Sequence, residues 1–441
     1  MNVHEYMDVV KDTDQLEPKS PTDPNYKVMP ILGLAGEIGS LLAELKKRVR
    51  EPERSAHVSR ARIKEELGDI MWYAVTIGRR AELDFVADIL FANLVRISKD
   101  AGLYLPLLSG AEEPGKELID AVESKDFGLV QTFESYRSHA AKSSRLSRNQ
   151  QLVPYLARIW QNSGELLSKV DLKACKFEGA EKKIVAKVLG DVMWYVAGFA
   201  TLHDLNLDVV AHENAQKAES MFMPKVRRKR SPLRDDRCKP HEQFPRKFDV
   251  DFVSVDANTA IMMINGLQIG DRVQDNAYQF AEGVIDGYRF HDCIHLAFVA
   301  VLGWSPVIRG LMKRKRKSDA SIDNVEDGAR AQIVEEMIVK LTHTYAVNTD
   351  SKALLEGQKH ISMDLLKQIE SLAVGLEVTG SYEKTEPCKL WEWEEAILSG
   401  YKVFNDLRRC KGGRVRIDLK KRAISFTEID PHKAAFFPLL T

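Results

Sequence analysis

Three acidic side chains near the N-terminus have the type and spacing for metal chemistry. Glu66 and Asp69 lie three residues apart, with Glu37 upstream of them. Residues three apart on a helix share a face, so two adjacent helices can aim Glu37, Glu66 and Asp69 at one point. Carboxylates brought that close repel unless they are protonated or bound to a cation. Oxygen ligands without Cys or His favour Mg2+, with Mn2+ as the alternative, and such ions keep waters and bind substrate phosphates. The competing reading is a solvated helix face, where most Asp and Glu are found. A second set lies in the C-terminal half. His291 and His295 are four apart and share a helical face, Asp292 adjoins them, and Glu335 and Glu336 follow on a later helix. A His/carboxylate metal site, or second hydrolase centre, competes there with a buried network in which a His bonds a carboxylate.

The elements that must position these groups read as helices. Apolar periodicity predicts helices over 3–13, 29–50, 58–81 and 84–99, separated by the Pro-rich stretch from Glu17 to Pro24 and by Glu51-Pro52. Short connections make this a four-helix bundle. The pattern then returns. Leu67-Gly68-Asp69-Ile70-Met71-Trp72-Tyr73 is repeated as Leu189-Gly190-Asp191-Val192-Met193-Trp194-Tyr195, which predicts one supersecondary unit used twice. Phe133 to Tyr136 corresponds to the helix around Tyr6, and 155–170, 182–202 and 207–222 to the other three. Trp72 and Trp194 have apolar neighbours and read as packing residues. The expected fold class is all-α: two tandem four-helix bundles plus a mainly helical C-terminal domain ending in a β-hairpin. The expected boundaries are 1–110, 126–223, a basic linker at 224–243, and 244–441.

Gly33-Leu34-Ala35-Gly36-Glu37-Ile38-Gly39, followed by Lys64-Glu65-Glu66-Leu67-Gly68-Asp69-Ile70-Met71-Trp72-Tyr73, resembles the MazG-like family of all-α nucleoside triphosphate pyrophosphohydrolases. That family carries ExxE on one helix and ExxD on the next. Glu5-Tyr6 and Asn93 also resemble its pattern, and the likeness covers most of residues 1–100. The resemblance implies Mg2+-dependent cleavage between the α- and β-phosphates of a nucleoside triphosphate, giving a monophosphate and pyrophosphate. It makes Glu37, Glu66 and Asp69 metal ligands, one of them serving to orient or deprotonate water. Lys47, Asn93 and Lys217 are the expected substrate contacts, although a lysine at a helix C-terminus such as Lys47 also suits the helix dipole.

The two copies depart from that pattern in complementary ways. Ser40 stands where the family has the second Glu of ExxE. In the second copy Glu165 occupies the position lost at Ser40 and Asp191 remains, but Asn162 replaces Glu37 and Val188 replaces Glu66. Asn214 and Lys217 resemble the family's AsnxxLys element, with Asn93 and Arg96 as first-copy counterparts. Family bundles pair as dimers, so the copies are expected to form an intramolecular pseudo-dimer, with further homo-oligomerisation open. The expectation is one working site on the first copy. Glu165 and Asp191 are secondary candidates, as are His291, Asp292, His295 and Glu336. The alternative is a non-catalytic nucleotide sensor or scaffold of a MazG-type system, associated with phage defence.

Composition removes other classes. The 441 residues carry 64 Lys+Arg against 64 Asp+Glu, which argues against a generally basic nucleic-acid binder. The basic runs 225–230 and 313–317 read as solvated segments. No signal-peptide pattern opens the chain and no apolar run is read as a membrane span. Five scattered cysteines without CxxC fit reduced thiols, hence a cytoplasmic location. Residues 288–292, 302–307, 326–330 and 391–396 resemble the helical domain found C-terminal to MazG modules in some bacterial proteins, a likeness spanning about 245–428. Alternation over 413–419 and 423–426 predicts the terminal hairpin.

Overall fold

The computed structural model describes residues 1–15, 22–99, 124, 127–142, 152–236, 238–275, 287–318, 327–375 and 388–429. Within them the chain is mostly helical, with a small antiparallel sheet near the C-terminus. It divides into two compact units, Met1–Arg228 and Lys229–Thr441. The Pro-rich residues 16–21, and residues 276–286, where the sequence predicts the start of a helix, lie outside the described residues.

Unit 1 opens with α1 (Val3–Thr13). Asn2 and Glu5 form a reciprocal capping box that satisfies two otherwise orphaned amides. α2 (Asn25–Arg50) and α3 (Pro52–Arg80) are joined through Glu51 alone. The expected start of α3 at residue 58 is six residues late. Pro52 opens the helix in its first turn, where its missing N–H costs nothing. A π-helical stretch, Phe85–Phe91, capped by Asp84, runs into α4 (Ala92–Lys99). α5 (Phe133–Lys142), α6 (Leu152–Lys169), α7 (Ala180–Leu202) and α8 (Leu207–Phe222) follow. The Asn206 side chain starts α8 by accepting from the amides of Asp208 and Val209.

α2 packs on α3 and α6 on α7, while α6 also meets α2 and α7 meets α3. The last helices contact the other half more than their own sequence neighbours. α8 lies on α1 and α3, and the 85–99 stretch lies against α7. One contiguous core results, in which Tyr6, Leu34, Leu67, Ile70 and Phe85 are buried with Tyr136, Tyr155, Leu189, Val192 and Phe199. Each large apolar side chain there contributes about 1.5–3 kcal/mol by leaving water. At one end, Asp14 is clamped by Arg79 and Arg80, and the Arg80 guanidinium lies over the Tyr26 ring at 4.2 Å.

The expectation of no apolar span needs correction. By length and composition alone, 25–47 and 180–202 are long and apolar enough to cross a bilayer. In unit 1 both are packed helices with internal charge pairs. Lys27 on α2 is fully buried and bonds Glu181 at 2.7 Å, and Asp191 on α7 pairs with Arg96 and Lys187.

Unit 2 contains a five-stranded antiparallel sheet in the order β3-β2-β1-β4-β5. Its strands are β1 (Lys247–Ser254), β2 (Thr259–Ile264), β3 (Leu267–Gln274), β4 (Gly413–Asp418) and β5 (Ala423–Thr427). The sequence reading has only the β4–β5 hairpin. Phe248, Val250 and Phe252 alternate with Asp249 and Asp251, and Asn265-Gly266 turns β2 into β3 with φ of 51° and 78°. Those are the alternation and the Asn-Gly turn of a hairpin. The helices are α9 (Asp292–Leu302), α10 (Pro306–Leu311), α11 (Ala329–Thr349), α12 (Met363–Gly375) and α13 (Leu390–Cys410). α9 is buried along its whole length and packs on α13, with both against β4 and β5. Residues 231–236 and 238–243, expected as linker, are packed into this unit, with Leu233, Asp235 and Glu242 buried. The basic run 313–317 is partly structural. Arg316 is buried against Asp327 at 2.6 Å, and Arg314 donates to the carbonyls of His241 and Gln243.

Candidate functional site

Ile31, Leu34, Ile38 and Leu41 of α2, and Ile63, Leu67 and Ile70 of α3, are fully buried. Their packing fixes the rotation of both helices and leaves Glu37, Glu66 and Asp69 half-buried at the edge of the seam. One carboxylate oxygen from each of the three lies within 4.8 Å of the others. The electrostatic consequence falls on Glu66. Burial, then the Glu37 charge and a hydrogen bond with Glu37, then Asp69 and Glu65, push its pKa up to about 7. The cluster therefore holds a proton into the neutral range, as crowded carboxylates do. The neighbouring Tyr73 phenol is raised by burial and by Glu37 and Asp69.

The cluster is completed from α8. Lys217 Nζ lies 2.5 Å from Asp69 Oδ2 and 2.9 Å from Glu65 Oε1. Burial pulls the Lys217 ammonium down, but Asp69 and Glu65 outweigh it and its pKa is raised. Asn214 Nδ2 donates to Asp69 Oδ1 at 2.8 Å, and Asn214 Oδ1 accepts from the Tyr6 hydroxyl at 2.6 Å. Gly68 is what lets α8 come so close, since a Cβ there would stand 2.9 Å from Asn214 Cβ.

The same contacts recur with the roles of the halves reversed. Asn93 Nδ2 reaches Asp191 Oδ1 at 3.4 Å, and Asn93 Oδ1 accepts from Tyr136 at 2.9 Å. A Cβ on Gly190 would stand 2.9 Å from Asn93 Cβ. Arg96 and Lys187 pair with Asp191. Burial raises the Asp191 pKa against the pull of Arg96 and Lys187. Glu165 bonds Lys169 at 2.8 Å, which holds its pKa low, and lies 3.9 Å from Lys187. Asn162 and Val188 are buried. The acids of the second copy are thus matched by Arg96, Lys169 and Lys187, whereas those of the first retain a crowded, partly protonated pair.

Of the expected substrate contacts, only Lys217 stands at the first cluster. Asn93 is placed at Asp191 instead, because the 85–99 stretch packs on α7 and α8 on α3, and Asn214 takes the corresponding position at Asp69. Lys47 is exposed and bonds Glu44 at 2.6 Å. Trp194 is buried, and Trp72 Nε1 donates to Thr13 Oγ1 at 3.2 Å. Glu65 is a site neighbour that the sequence reading leaves out, although it sits within the Lys64-to-Tyr73 motif.

In unit 2, one ligand-type atom from each of His291, Asp292 and His295 lies within 4.8 Å of the others. His295 Nδ1 is 2.7 Å from Glu335 Oε1, and both residues are fully buried. Burial lowers the His295 pKa, but Glu335, followed by Asp292 and Glu336, raises it to about 9. Glu336 Oε1 lies 3.6 Å from His295 Nε2. The bonding role belongs to Glu335, and the adjacent Glu336 is half exposed.

The family model described as the MazG C-terminal domain matches residues 229–430. That match supports a MazG-related protein. No curated protein and no solved structure matches the chain.

Proposed function

We propose that unit 1 is a nucleoside triphosphate pyrophosphohydrolase working at one site, built on Glu37, Glu66 and Asp69 and dependent on Mg2+, with Mn2+ as substitute. The observation that carries this is the convergence of the three carboxylates within 4.8 Å, with Glu66 pushed to about 7. Crowding of that kind is relieved by a cation, and an all-oxygen donor set suits a hard one. When bound, the cation supplies charge neutralisation of the phosphate chain and polarisation of a water. Lys217 adds a fixed positive charge where the phosphates of a triphosphate would lie. One of the two glutamates, Glu37 or Glu66, can orient the attacking water and accept its proton. Attack at the α-phosphorus by water breaks the α–β bridge and yields a monophosphate and pyrophosphate.

The two helical sets are read here as tandem four-helix bundles, joined as a pseudo-dimer by exchange of their last helices. Asn93–Asp191 and Asn214–Asp69 are the contacts that support it. The second copy then serves as partner, lending Asn214 and Lys217. The proposed setting is the cytoplasm. The competing function, a nucleotide sensor or scaffold without turnover, is favoured by Ser40 in place of the fourth acid and by Asn162 and Val188 in the second copy. Pyrophosphate release from a panel of ribo- and deoxynucleoside triphosphates separates the two. Release that needs Mg2+ and stops with EDTA supports the hydrolase. Nucleotide binding without release in either Mg2+ or Mn2+ supports the sensor.

A further inference from the structure

Unit 2 carries donor groups that the phosphate chemistry proposed for unit 1 does not use. They sit where a short 3-10 turn, Tyr288–Phe290, leads into α9. The His291 ring stacks on Tyr288 with centroids 4.2 Å apart, and its Nδ1 is 2.9 Å from the Tyr288 carbonyl oxygen. A carbonyl only accepts, so Nδ1 carries the proton and the Nε2 lone pair is left available. His295 is also held through its Nδ1. Its Nδ1 faces the Glu335 carboxylate at 2.7 Å, and the other Glu335 oxygen accepts from the Val307 amide at 2.8 Å. Glu335 is therefore held from both sides. His295 Nε2 is buried and makes no hydrogen bond. A buried ring nitrogen without a partner is an unusual feature that asks for an explanation. It lies beside Asp292, His291 and, at 3.6 Å, Glu336.

We propose that His291, Asp292 and His295 bind a transition-metal dication, with Glu336 within reach as a further carboxylate. Two imidazoles and a carboxylate are a mixed donor set that suits Zn2+, Co2+, Mn2+ or Fe2+ better than Mg2+. Glu335 and the Tyr288 carbonyl are the outer partners that fix each ring by its Nδ1, the usual support of a metal-bound histidine. The site is chemically distinct from the oxygen-only cluster of unit 1.

The test uses the full chain, stripped with EDTA, dialysed against Zn2+ or Co2+, and assayed for bound metal and for Co2+ visible absorption. Glu66→Gln, His291→Ala and Glu335→Gln are compared with the wild type. The expected result is one tightly held equivalent that survives in Glu66→Gln, is lost in His291→Ala, and is held about 10- to 100-fold more weakly in Glu335→Gln. His291 is only half-buried, and equal metal-free unfolding midpoints for wild type and His291→Ala verify that this variant folds. No uptake by the folded wild type, or equal uptake in folded His291→Ala, overturns the proposal.

Discussion

Asn214 Nδ2 donates to Asp69 Oδ1 at 2.8 Å across 145 positions of sequence. The link ties the last helix of the second half to the acid-bearing helix of the first. It also explains the repeated Leu-Gly-Asp. The glycine admits the partner helix, and the aspartate receives its asparagine.

Gly68→Ala forces Asn214 away and breaks the chain from Tyr6 through Asn214 to Asp69. Asn214→Ala leaves the buried Tyr6 hydroxyl with only the long bond to the Gly68 carbonyl, 3.5 Å. Each substitution should cost about 1–3 kcal/mol, read as a lower urea midpoint. Gly36→Ala is the control, because nothing stands within 4 Å of a Cβ there, and its midpoint should stay near wild type.

Asp14→Ala should be more severe. It leaves Arg80 buried without its carboxylate, and breaking such a pair from one side costs about 3–5 kcal/mol. Thermal unfolding would report it. A loss under 1 kcal/mol would show that the Arg79–Asp14–Arg80 clamp does not hold the ends of α1 and α3.

The pH dependence follows from Glu66, which keeps its proton to about 7 against an ordinary 4.5. Between those values the folded chain binds more protons than the unfolded one. Stability from this group is thus present below 4.5 and lost as pH rises through 7. In EDTA, wild type should lose stability relative to Glu66→Gln between pH 5 and pH 8. Saturating Mg2+ should remove that loss by displacing the proton. Equal pH slopes for the two chains in EDTA would contradict the crowding.

Lys217→Ala should lower kcat for pyrophosphate release by about 100-fold, the scale of one preorganised charge at a transferring phosphate. Arg96→Ala, at the equivalent place beside Asp191, should lower stability and leave kcat unchanged. Equal losses of kcat in both variants would argue for two working sites.

Much of unit 1 was legible. The 207–222 helix has the bounds expected from its correspondence with the fourth helix of the first copy. Helical spacing puts Glu66 and Asp69 on one face, but it is the resemblance of 33–39 and 64–73 to the MazG-like pattern that picks out Glu37 with them. That the 85–99 stretch packs on α7 and α8 on α3 was not legible, since Asn93 and Asn214 occupy equivalent motif positions and sequence order does not choose between them. The β1–β3 strands carried a readable alternation and an Asn-Gly turn, passed over beside the helical periodicity around them. The role of Glu335 was hidden by the 40 residues separating it from His295, and an adjacent glutamate made the choice ambiguous.

The central claim is that Glu37, Glu66 and Asp69 hold a divalent cation. Mn2+ titrated into His291→Ala, so that the proposed unit 2 site is silent, and followed by electron paramagnetic resonance, tests it most directly. One bound Mn2+ that disappears on adding Glu66→Gln is the predicted result. Mn2+ binding that is absent, or unchanged by Glu66→Gln, contradicts it.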